Sequence, residues 1–173
     1  GNVGPAQDLG LLLQGFNNCD SLLSNNCAIH IFGDGLEAEI LKSKYGKNGS
    51  NIYFWGQVST LECEAALSCA SAALFTLKNE LRVNNVPGKY MQYTAFGLPL
   101  LAVVNPSNPV IQQIRNYNAG IVCSGREVAD ISNSCEIFLN GLQGDSFESS
   151  RQIYEDFFKF PVAAGVLVSW MKE

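Results

Sequence analysis

The sequence predicts a doubly wound α/β domain, a parallel sheet held between two layers of helices. Three observations predict it. Short apolar runs alternate with helix-like segments from one end of the 173 residues to the other. The runs lack the polar alternation of a sheet with one wet face. Glycine and proline fall at the joints between the two kinds of segment.

The apolar runs lie at 28–32, 52–55, 72–77, 100–104 and 120–123. Continuous Ile, Val, Leu and Phe of this kind mark strands covered on both faces, as in a parallel sheet. Helix-like segments lie near 8–16, 36–45, 61–69, 90–96, 109–117 and 128–139. Strand and helix in alternation, joined by short links, give a Rossmann-like three-layer α/β/α domain. The punctuation agrees. Gly33-Asp34-Gly35 ends one strand and opens the next helix, and residues 46–51 form a polar loop before the strand at 52. Gly97-Leu98-Pro99 stops a helix, because glycine suits the C-cap and proline cannot continue the spiral. Pro109 fits the first position of the helix that follows it. The tail, 146–173, reads as helix broken near Phe160-Pro161 and then resumed, with Phe157, Phe158, Val166, Leu167 and Trp170 packing on the sheet edge or on another domain.

Composition narrows the function classes. Hydrophobic residues make up 47% and charged residues 16%, a folded rather than a disordered balance. A net charge of −5 argues against a nucleic-acid binder, which presents a basic face. It leaves room for one nucleotide, since backbone N–H groups hold phosphate without much help from cations. The six cysteines form no CxxC pair and there is one histidine, so zinc ribbons and fingers are disfavoured. Cys27, Cys69 and Cys123 sit in or beside apolar runs as small hydrophobes, which suits reduced thiols in a cytoplasm. No run approaches the roughly 20 apolar residues of a membrane span, and the N-terminus has no secretory pattern. The chain opens on Gly1-Asn2-Val3-Gly4, already a glycine turn before a helix. That opening is expected of one domain, 1–173, cut from a longer protein.

Ligands of open α/β sheets bind beyond the carboxyl ends of the strands. The loops to inspect are therefore 1–4, 33–35, 55–59 and 80–89. Gly33, Asp34 and Gly35 follow a strand directly and would bring a helix N-terminus and bare backbone to a ligand. Val86-Pro87-Gly88-Lys89-Tyr90 leads straight into a helix and places N–H groups and an ammonium at its start, which suits a diphosphate. An ordinary solvated helix cap is the alternative. His30 lies inside an apolar run and reads as a core histidine. Glu37, Glu39, Glu62 and Glu64 read as solvated helix faces, and no carboxylate cluster suggests a metal site.

These residues carry a family resemblance. The order Gly1-Asn2-Val3-Gly4, Ile31-Phe32-Gly33-Asp34-Gly35, residues 51–56, and residues 86–99 resembles the C-terminal, donor-binding domain of retaining GT-B glycosyltransferases of the group 1 type. It runs from Gly1 to about Gly120, and 86–99 is its most specific part. The resemblance implies one half of a GT-B fold, with the N-terminal acceptor domain absent from this chain. It implies transfer of a sugar from a UDP- or GDP-linked donor to an acceptor hydroxyl, with no cofactor, in bacterial polysaccharide biosynthesis. The setting would be the cytoplasm, with the full enzyme free or resting on the inner face of a membrane. Gly1, Asn2 and Gly4 would face the donor phosphates together with Gly33, Asp34 and Gly35. Trp55 and Gln57 would lie near the base. Val86, Pro87, Gly88 and Tyr90 would meet the diphosphate and sugar, Gln92 would contact the ribose, and Lys89 would supply the catalytic charge.

Two departures stand out. Where many members carry a pair of glutamates, this chain has Asn84 and Gln92. Where many have Arg and Lys after the first loop, it has Pro5, Ala6, Gln7 and Asp8, so Lys89 or Arg82 would have to provide the charge. A GT-B sugar epimerase and a non-enzymatic Rossmann-like interaction module remain as alternative readings.

Overall fold

The computed structural model describes residues 1–19, 27–47, 49–81, 86–142 and 145–159. Five strands alternate with seven helices among them: α1 (Leu9–Asn17), β1 (Ile29–Phe32), α2 (Ala38–Tyr45), β2 (Ile52–Gly56), α3 (Thr60–Cys69), β3 (Ala73–Thr76), α4 (Gly88–Ala95), β4 (Leu100–Val103), α5 (Val110–Asn116), β5 (Gly120–Val122), α6 (Val128–Asn140) and α7 (Asp145–Phe157). The predicted α/β alternation holds, and the element ends move by one or two residues, the usual fraying of helix and strand termini. Among the described residues, no helix is long and apolar enough to cross a membrane.

Every strand pairing among the described residues is parallel. β1 lies beside β2 with Ile29 opposite Ile52. β3, β4 and β5 form a second group, with Ala73 opposite Leu100 and Leu100 opposite Gly120. Two cores flank this sheet arrangement. One joins Leu12, Leu13 and Phe16 of α1, Leu41 of α2 and Ile131 and Phe138 of α6 to Ile29, Ile31, Leu101 and Val103. The other joins Phe75, Leu100 and Ala102 to Tyr90 of α4, Val110 and Ile114 of α5 and Ile153 of α7. β4 is buried at all four residues because helices cover both of its faces.

The expectation that all strands are covered on both faces fails for β1 and β2. Their inner face enters the first core, but the outer face is open, and it carries a ladder of rings. His30 stacks on Tyr53 at 5.2 Å and on Trp55 at 5.9 Å, and Phe32 stacks on Trp55 at 6.0 Å. His30 is therefore an exposed residue, not a core one, because the strand period of two turns it away from Ile29 and Ile31. Its Nδ1 accepts from Trp55 Nε1 at 3.0 Å. Cys69, expected to be buried, is also exposed, at the end of α3.

The glycine stop after α4 is a Schellman motif. Gly97 takes φ 69°, its N–H donates to Thr94 O at 3.0 Å, and Leu98 N–H donates to Tyr93 O at 3.0 Å. Of the expected tail, the described part is α7, which lies against α4 rather than on the sheet edge. Ser150 Oγ donates to Leu98 O at 2.7 Å, Arg151 donates to Ala95 O, and Phe158 meets Tyr90 edge-on. The tail residues from Phe160 onward lie outside the described residues.

The α1–α6 contact depends on Gly15. A Cβ there would lie 2.3 Å from Ile131 Cγ2 and 2.8 Å from Ile131 Cβ. Gly15→Ala gains about 1 kcal/mol of helix propensity but overpacks this seam, at a cost of roughly 1–3 kcal/mol or more. The expected net is destabilisation, read as a lower urea midpoint with an unchanged m-value.

Candidate functional site

The carboxyl ends of β1 and β3 are bridged by the first residues of the chain. Gly1 N donates to Phe32 O, Val3 N to Asp34 O at 2.9 Å, and Glu37 N to Val3 O at 3.1 Å. From the other side, Lys78 N donates to Ala6 O at 2.9 Å. This packing explains the glycines after β1. Gly33 has φ 133°, and a Cβ there would fall 1.7 Å from Gly1 O; one on Gly35 would fall 2.4 Å from Val3 O. The backbone brought close by Gly33 and Gly35 is the chain's own. Asp34 Oδ1 accepts from Gly35 N at 2.7 Å and holds the turn. Gln7 Oε1 accepts from Asn2 Nδ2 at 3.1 Å and from Gly4 N at 3.2 Å, bracing the first loop.

Lys89 completes this rim. Its Cε lies 2.6 Å from where a Cβ on Gly1 would be, and its Nζ donates to Asn2 O over a long 3.5 Å. The loops after β1 and before α4 thus meet through Gly1 at one end of the sheet. Burial holds the Lys89 ammonium below the ordinary lysine range. Among the described residues, no carboxylate pairs with it. The helix beginning here has no side-chain cap, because its N-cap is Pro87. Its first N–H groups therefore lack the acceptor that a Ser, Thr or Asp would have given. A Cβ on Gly88 would meet nothing within 4 Å, so the fold itself does not require glycine there.

The other expected residues divide. Tyr90 is a correction. Its ring is fully buried between Phe75 and Phe158, its hydroxyl donates to Gln113 Oε1 at 2.9 Å, and its N–H donates to Pro87 O at 2.9 Å, so nothing of it is left for a ligand. Val86 packs its side chain against the second core. Trp55 turns its indole to the outer face of β2, onto His30 and Phe32. Gln57 is exposed just beyond β2, after Gly56 at φ 71°, and Gln92 is half-buried on α4. Arg82, Asn84 and Asn85 lie outside the described residues.

Sequence reading missed Arg126. Its Nη2 pairs with Asp8 Oδ2 at 2.6 Å, and its Nη1 donates to Leu77 O at 3.0 Å. A cation therefore does reach the start of α1, from the loop after β5 rather than from the first loop. Applying the strand-end rule to β5 would have found it. Arg126 also lines a cleft of about 350 Å³ at the ends of β3, β4 and β5, with Asn79, Pro106, Gln112, Arg115 and Ser124. Tyr93, on α4, was missed as well; burial and then Cys63 push its hydroxyl up to about 12.

With this geometry in view, likeness to known structures can be stated. No protein-family model matches the chain, and no curated protein matches its sequence. Solved structures do match. WaaG, a glycosyltransferase involved in lipopolysaccharide biosynthesis, superposes with a TM-score of 0.72 over 95% of this chain and 44% of its own, at 14% identity. HepE from Anabaena, solved with UDP, gives 0.73 over 100% of this chain and 47% of its own, at 11% identity. The fold is that of a GT-B domain. The catalytic domain of the cholesterol-α-glucosyltransferase from Helicobacter pylori gives 0.68 over 90% of this chain and 92% of its own, at 13% identity. The chain thus spans under half the length of WaaG and HepE.

The buried ammonium has a cost that mutation can expose. A base whose folded pKa is lowered destabilises the fold at every pH below that folded value. The effect fades as pH rises toward the unfolded value, 10.5 for lysine. Lys89→Met is therefore expected to raise the denaturant midpoint at pH 7, with a smaller gain near pH 10.5.

Proposed function

We propose that this domain binds the donor, a nucleoside diphosphate sugar, for a retaining GT-B glycosyltransferase that passes the sugar to an acceptor hydroxyl. The observation that carries the proposal is Lys89, a half-buried ammonium with no carboxylate partner among the described residues, at the uncapped start of α4. A cation destabilised by burial gains most from an anion, and N–H groups at a helix start add to the same field. Gly88 leaves the approach clear. The UDP in the HepE complex supports the same ligand class here.

The pyrophosphate lies against residues 88 and 89 and the Gly1–Asn2 backbone. As the glycosidic bond to phosphate breaks, negative charge grows on the leaving diphosphate. Fixed N–H dipoles and Lys89, already oriented and poorly hydrated, lower that barrier. Gln57 and the backbone after Gly56 stand where the base would lie, since the Trp55 indole is engaged elsewhere. Gln92 offers its amide to the ribose. The acceptor site and the rest of the catalytic set belong to a second domain across a cleft, so this chain binds donor and transfers nothing by itself. Bacterial surface-polysaccharide synthesis on the cytoplasmic side, free or at the membrane face, is the setting that fits best.

Calorimetry with UDP, GDP and their sugars tests the reading. Weak saturable binding to at least one is expected, at least about tenfold weaker in Lys89→Met, the loss of one charge-assisted contact. Absence of binding at millimolar concentration counts against it. Gly88→Ala separates fold from function. It should stabilise the protein by roughly 0.5–1 kcal/mol, the propensity difference, while weakening nucleotide binding.

A further inference from the structure

The cleft at the carboxyl ends of β3, β4 and β5 takes no part in the donor reading, which rests on the rim around Gly1 and Lys89. Its volume is about 350 Å³. That is near the lower end of ligand sites, roughly 300–1,000 Å³, and suits one ring rather than a nucleotide sugar. The floor is firm. Val104 and Ile111 are buried members of the second core, and Val122 packs against it. α5 forms one wall, where Gln112 and Arg115, three residues apart on one side of the helix, line the cleft and are exposed. Asn79, beyond β3, and the loop after β5 form the other.

Charge gathers here against the trend of the molecule. The chain has a net charge of −5, yet two of its four arginines, Arg115 and Arg126, line this cleft. Among the described residues, no acidic side chain lines it and none pairs with Arg115. Arg126 is held by Asp8 and by Leu77 O, which use two of the five N–H groups of a guanidinium. Asp8 offsets that charge, so Arg115 is what leaves the cleft positive. A second observation comes from the backbone. Among the described residues, the N–H groups of Ser124, Gly125 and Arg126 find no acceptor, while Cys123 N donates to Ala102 O at 2.9 Å and Glu127 N to Asp130 Oδ2 at 3.2 Å. α6 is closed by its own capping box, so these three donors belong to the loop. Successive backbone N–H groups hold the anion in many phosphate sites.

We propose that this cleft is a second anion site, one that takes the phosphate monoester of a molecule about one sugar ring in size. The three terminal oxygens and near-double charge of a phosphate monoester match a run of N–H groups beside two guanidiniums better than a carboxylate does. Arg126, already anchored, loses little freedom on binding. Val104, Ile111 and Val122 meet the carbon face of the ring, and the Asn79 and Gln112 amides serve its hydroxyls.

The test follows the amide NMR signals of the 173-residue chain as glucose 6-phosphate, inorganic phosphate, glucuronate or glucose is added to millimolar concentration. Glucose 6-phosphate should shift Ser124, Gly125 and Arg126 to saturation. Inorganic phosphate, which leaves the floor empty, should bind more weakly, as should glucuronate, and glucose should not bind. Arg115→Gln should weaken glucose 6-phosphate by about tenfold, the loss of one charge-assisted contact. Arg115 is the residue to vary because no ion pair among the described residues depends on it, whereas Arg126 holds Asp8. Lys89→Met should leave this binding unchanged, which keeps the outcome apart from that of the donor reading. The proposal is overturned by the absence of a saturable shift at the three amides, or by inorganic phosphate or glucuronate binding as tightly as glucose 6-phosphate. An Arg115→Gln chain that binds as well as the parent overturns it too.

Discussion

Gly33 holds a backbone φ of 133°, and Gly1 O sits 1.7 Å from where its Cβ would be. No other amino acid fits that position without moving the first loop off the end of β1. The loop then spans to β3 through Ala6 and Lys78, and Asn2 meets the Lys89 ammonium. The site therefore rests on a contact between two stretches of backbone. Side chains such as Gln7 and Asp34 hold the geometry, but close approach creates it.

Electrostatics at this rim run against stability. The protein keeps the Lys89 ammonium partly out of water, with Asn2 O at 3.5 Å and no carboxylate partner among the described residues, at a helix start that already carries positive potential. Some charges elsewhere are paired, as with Arg126 and Asp8 or Arg151 and Glu155. A charge held partly out of water at a rim of strand-end loops makes that rim a candidate site. α7 contributes from behind, fastening the far end of α4 through Ser150 and Arg151 so that the helix start is held in place.

Much of this was legible beforehand. Strand positions followed from apolar runs, and the end of α4 from Gly97-Leu98-Pro99, because local backbone chemistry decides both. The meeting of the loops after β1 and before α4 followed from the rule that strand-end loops share a rim. His30 and Tyr90 were misplaced for one reason. A residue in an apolar run, or beside a glycine loop, can face either way, and only the packing partner decides. His30 turned outward to Trp55, and Tyr90 turned inward to Phe75 and Gln113. Arg126 was missed because its partner Asp8 lies far away in sequence.

By itself the sequence determined the alternation of strands and helices, the parallel class of the sheet and the loops able to meet a ligand, since periodicity and glycine placement are local properties. The tertiary structure decided which of those loops touch, which ring is core and which is surface, and how the described strands divide into the groups β1–β2 and β3–β4–β5. Those depend on contacts between residues distant in the chain, and no local pattern encodes the direction from which a partner arrives.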